Sequence, residues 1–100
     1  MKLVVLSADG DSKVYAVPDP VAEYLEEYCL EFCDCWLKSS PDAERYRING
    51  VLCYDEEDFI KYLNQWIFPD QPSRLVENLG WLDFDQPLPA RYRDCPRFCF

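Results

Sequence analysis

DPVAEYLEEYCLEFCDCWLK, residues 19–38, carries the longest helical pattern in the chain. Val21, Leu25, Tyr28, Phe32 and Trp36 recur at three- and four-residue spacing, which is the period of a helix with one apolar face. Cys29, Leu30, Cys33 and Leu37 widen that face beyond what a small sheet needs to cover. Glu23, Glu27, Glu31 and Asp34, with Lys38, define the wet side. Asp19 is expected to cap the free amides of the first turn, and Pro20 suits the first helical position because its missing N–H costs nothing there. Ser39-Ser40-Pro41-Asp42 ends the helix.

Before this helix, residues 2–7 (KLVVLS) and 12–17 (SKVYAV) flank the turn signal Ala8-Asp9-Gly10-Asp11 and read as a β-hairpin. Residues 45–48 and 51–54 flank Asn49-Gly50, the dipeptide that supplies both positive φ angles of a type I′ turn, so a second hairpin is expected. Asp55 follows as an N-cap, with Asp58 three residues on as its partner. Phe59, Ile60, Leu63, Trp66 and Ile67 then make a second helical stripe, bounded near Phe68 by Pro69. The order is ββαββα. Residues 73–78 (SRLVEN) predict one or two helical turns stopped by Gly80, and residues 81–85 (WLDFD) an edge strand. Pro87 and Pro89 break regular structure, leaving residues 86–100 as an irregular, arginine- and aromatic-bearing tail packed on the domain. The expectation is a single α+β domain over residues 1–100. It has a small antiparallel sheet of four or five strands and two amphipathic helices on one face.

Composition narrows the function. The chain of 100 residues carries a net charge of −9 and no histidine. Arg91, Arg93 and Arg97 against Asp94 leave the last eleven residues at +2, so the first 89 carry −11. Such a surface repels nucleic acid and anionic membrane and suits a basic protein partner. The opposing reading is that acidity only keeps an aromatic-rich chain soluble. No apolar run approaches the ~20 residues needed to cross a bilayer. KLVVLS is too short for a signal-peptide core, so a cytoplasmic protein is expected. In a reducing cytosol the six cysteines are expected as free thiols.

Few groups suggest chemistry. Without histidine, neither a serine nor a cysteine nucleophile has its usual activating base, and no glycine-rich phosphate loop exists. Asp55-Glu56-Glu57-Asp58 reads as helix capping, since the spacing is not that of a calcium loop. Two Cys-x₃-Cys pairs, Cys29 with Cys33 and Cys95 with Cys99, could supply four thiolates to zinc. Their apolar neighbours favour thiols packed in the core, and no cofactor is expected.

The reading is a non-enzymatic acidic protein-binding module. Glu23, Glu27, Glu31 and Asp34 present carboxylates to a basic, nucleic-acid-binding partner. Arg91 and Arg93 grip an acidic strip, either within the chain or on helix residues 19–38 of a second copy in a homodimer. In size and charge the chain resembles small acidic accessory proteins of phages and mobile elements, some of which block host nucleases. That likeness is one of class and carries no shared motif. The alternative is a small thiol or metal protein built on the cysteine pairs.

Overall fold

β1 (Lys2–Ala8) and β2 (Asp11–Val17) form the first hairpin, pairing antiparallel from Lys2 with Val17 to Ala8 with Asp11. The computed structural model describes residues 1–8, 10–82 and 87–100. Asp9 of the expected turn, residues 83–85 of the expected edge strand and Gln86 at the start of the tail lie outside them. Alternation along the hairpin sends Val4, Leu6, Tyr15 and Val17 to one face and Val5 and Val14 to the other. All six are buried, so both faces of the sheet must be covered.

The helices cover the first face. α1 (Asp19–Glu23) ends at Tyr24, whose φ of −125° and ψ of 44° break the helix before α2 (Leu25–Leu30) begins. Asp19 is not the cap: Pro18 holds that position without a side-chain bond, and the Asp19 carboxylate lies 3.1 Å from the Met1 amino group. After α2 the chain widens into a π turn (Glu31–Trp36) before α3 (Leu37–Ser39). The Leu37 amide donates to the Phe32 carbonyl, five residues back. The wider turn explains why Phe32 and Leu37 are both fully buried although five apart, whereas Trp36, the expected member of the stripe, is only half-buried.

Asp55 caps α4 (Glu56–Tyr62) as expected: its side chain accepts from the Asp58 amide, and the Asp58 carboxylate accepts from the Asp55 amide. This helix also ends in a π turn (Leu63–Ile67), where the Phe68 amide reaches the Leu63 carbonyl at 2.7 Å. Phe59, Ile60 and Leu63 are buried, while Trp66 and Ile67 stay exposed. Lys13 of β2 ties α4 to the sheet. Its ammonium sits 2.8 Å from Glu56, which is only 3% exposed, and 3.2 Å from Glu57.

The second hairpin forms, but not in the main sheet. β3 (Arg47–Ile48) and β4 (Val51–Leu52) make a two-stranded sheet of their own, with φ of 52° at Asn49 and 79° at Gly50. Residues 45 and 46 belong instead to a 3₁₀ turn (Pro41–Tyr46) that carries Tyr46 against Trp36. The matching ββα order of the two halves therefore does not extend to their tertiary roles.

The main sheet takes its remaining strands from the last third of the chain, in the order β5-β2-β1-β6. β5 (Arg74–Trp81) occupies the stretch expected to be helical and pairs antiparallel with β2. The outer edge of β2 needs partners for its amides and carbonyls, and that tertiary demand overrides a weak local helix signal. Trp81 ends β5, and its ring lies over Gly10, where an added Cβ would come within 2.4 Å of it. The tail is not irregular throughout. It makes a 3₁₀ turn (Ala90–Tyr92), lays Tyr92 on the second face beside Val5 and Val14, and ends in β6 (Arg97–Cys99), parallel to β1. The result is an α+β fold: a mostly antiparallel sheet with helices on one face and a tail segment on the other.

Two substitutions check this architecture. Phe32→Ala removes a fully buried ring and is expected to cost about 3–5 kcal/mol by chemical denaturation; wild-type stability would place that helix face in solvent. Gly50→Val meets no steric obstacle but must hold φ near 79°, so a loss of about 1–3 kcal/mol is expected from backbone strain alone. An unmoved denaturation midpoint would remove the type I′ turn.

Candidate protein-binding surface

The four acids expected to face a partner, Glu23, Glu27, Glu31 and Asp34, are all exposed. They do not form one continuous line. The break at Tyr24 separates Glu23 from the rest, and the π turn changes the angular spacing around Asp34. Two of the four already have cations: Glu23 takes Lys2 at 3.0 Å, and Asp34 takes Lys38 at 3.8 Å. Glu27 and Glu31 have no ion pair among the described residues. The Glu31 amide donates to the Glu27 carbonyl, so the two side chains stand one turn apart on the same side.

Between them lies Tyr28, and the three residues line a shallow hollow of about 160 Å³. Tyr28 is half-buried, with its ring 6.2 Å from that of Phe68. The floor of the hollow is thus an aromatic ring held by the core, and its rims are two carboxylates with no ion pair among the described residues. An arginine or lysine side chain suits this arrangement: its stem lies on the ring while its head reaches a carboxylate. The apolar period places Tyr28 on the core stripe. Its place three residues before Glu31 and one after Glu27 was the available signal for a second role.

The arginines of the tail do not reach this surface. Arg91 is bound to Glu77 of β5 at 2.6 Å and stacks on the Tyr92 ring, and its pairing holds the Glu77 carboxyl below its usual range. Arg93 is exposed and has no ion pair among the described residues. A second hollow, of about 360 Å³, lies between β1, α1 and the tail, with Lys2, Glu23, Asp94 and Cys95 on its walls. Its one cation, Lys2, is already taken by Glu23.

All six cysteines are unbridged. The two Cys-x₃-Cys pairs do not converge on one site. Cys29 lies in the core under the helices, whereas Cys95 packs on the opposite face of the sheet. Among the described residues no three cysteine, aspartate or glutamate side chains gather in a metal-binding group. Burial pushes the thiols of Cys29, Cys33 and Cys95 up, and a hydrogen bond with Glu31 does the same for Cys35. Raised thiols stay protonated and are poor nucleophiles. Among the described residues no helix is long and apolar enough to cross a membrane.

Compared with known proteins, the chain matches no family model, no curated sequence and no solved structure.

The titration behaviour of the Lys13 region is testable. Its hydrogen bond with Glu56 raises Lys13 above its ordinary value, and burial pushes Tyr15 beside it up to about 12. Both groups hold their protons more tightly folded than unfolded. Their contribution is therefore complete below about pH 10 and is lost as pH rises through the folded values. Denaturation midpoints are expected to hold to about pH 8 and to begin falling near the ordinary thiol value of about 8.5, because the raised thiols of Cys29, Cys33, Cys35 and Cys95 keep their protons only in the folded chain. They should fall more steeply above about pH 10. Lys13→Met, which strands buried Glu56, should cost about 3 kcal/mol at neutral pH. Wild-type stability of that variant would mean that the pair does not fasten α4 to the sheet.

Proposed function

We propose that this chain is a non-enzymatic protein-binding module whose acidic helical surface receives a basic partner. One observation carries the reading: on a face where Glu23 and Asp34 have internal cations, Glu27 and Glu31 have none, and they flank an aromatic-floored hollow. Two carboxylates one turn apart repel each other and gain from an external cation. The net charge of −9 extends the attraction beyond contact range, and it favours a partner whose own groove is basic because it binds nucleic acid. An inhibitor of the kind used by phages and mobile elements, acting in the cytoplasm, is the specific form of this proposal. The raised thiols and the lack of any histidine support a binding rather than a catalytic role.

The test begins with affinity capture of partners from the native host by wild type and by the Glu27→Lys, Glu31→Lys double variant. Association rates with the captured partner are then measured at low and physiological salt. The double variant should associate on the order of tenfold more slowly at low salt, with the difference shrinking as salt screens the charges. Its fold should stay within about 0.5 kcal/mol of wild type, because both positions are exposed. Equal, salt-independent rates for the two proteins would leave the acidic face a solubilising surface only.

A further inference from the structure

We infer that the outer edge of β5 is the seam of a two-fold homodimer, distinct from the acidic helical surface. β5 is eight residues long and, among the described residues, lies at one end of the main sheet and pairs only with β2. Its free edge presents a row of backbone donors and acceptors, which is a template for another strand. Leu75 and Val76 on it are 51% and 41% exposed, so apolar side chains stand open there.

The register with β2 identifies the occupant as a second copy. Glu77 lies opposite Val14 and Leu75 opposite Tyr15, so Val76 is an extra residue, a bulge, between them. Arg74 lies opposite Ala16. Val14 and Ala16 point to the same face, so the bulge brings Arg74 and Glu77 to that one face although they are three apart. In a regular strand they would point to opposite faces. An antiparallel copy related by a two-fold axis between Leu75 and Val76 therefore sets Arg74 against Glu77 of its partner and Glu77 against Arg74. It also sets Leu75 against Val76. Arg74 has no ion pair within the chain among the described residues, and Glu77, bound at both carboxylate oxygens by Arg91, would share its charge with the incoming arginine. Bulges usually guard an edge against indiscriminate extension. Here the bulge creates a charge order that a strand of the same sequence, run in reverse, complements at both ends. The apolar face of residues 19–38, wider than a small sheet needs, is largely taken up by the core instead.

Light scattering on the full chain at micromolar concentration tests the seam, with thermal melts followed by circular dichroism as the fold control. Wild type is expected at twice the chain mass of 11.8 kDa. Arg74→Glu, which puts like charges across both ends of the seam, should weaken the dimer by about tenfold or more. Leu75→Lys should do the same through the apolar centre. Both positions are exposed, so the folded-state circular dichroism spectra should match wild type, and the melts should drop only by what the weakened dimer contributed. A wild-type protein at 11.8 kDa overturns the inference. So does a dimer that both variants leave unweakened, since it would use another face.

Discussion

The Phe32 ring is the contact on which the rest of the fold depends. It is fully buried, and the rings of Trp36, Tyr54, Phe59, Tyr62 and Phe100 pack around it. Those residues come from both helical stretches, the segment after the second hairpin and the end of the tail. A small domain has little apolar surface to bury, so concentrating large rings about one point gives the most burial per residue. The π turns follow from the same packing. Widening the turn after Phe32 lets Leu37 enter the core and lets Trp36 meet Tyr62 and Trp66.

The sheet shows a second constraint. A hairpin apolar on both faces cannot stop at one layer of helices. The chain meets this by folding its tail across the other face, where Tyr92 covers Val5 and Val14. Phe98 and Phe100 then return to the helix side, and the Phe100 amide bonds to the Ser7 carbonyl at 2.8 Å. Most of the tail's chemistry is therefore structural: Arg91 is engaged with Glu77, and Cys95 packs against the sheet. On residues 25–39, Glu27 and Glu31 are exposed and have no ion pair among the described residues.

Local physics was legible in the sequence wherever one residue type has few alternatives. Asn49-Gly50 had to turn with positive φ, Asp55 with Asp58 had to cap, and the apolar period had to place Leu25, Phe32 and Leu63 inside. The exposure of Glu27 and Glu31 followed from the same period, as did the α+β class. Tertiary structure alone decided which strands share a sheet. The stretch SRLVEN has no strong preference of its own, and it became β5 because the edge of β2 needed hydrogen-bond partners. The tail became β6 because the edge of β1 needed the same. The second hairpin stayed apart because only two residues on each side pair, too few to extend a sheet. Which carboxylates remain unpaired was also beyond the sequence, since Lys2 lies 21 residues from Glu23 and meets it only once β1 packs beside α1. Helical period and turn chemistry are local and survive any packing. Strand partnership and charge matching are settled by distances that exist only in the folded chain.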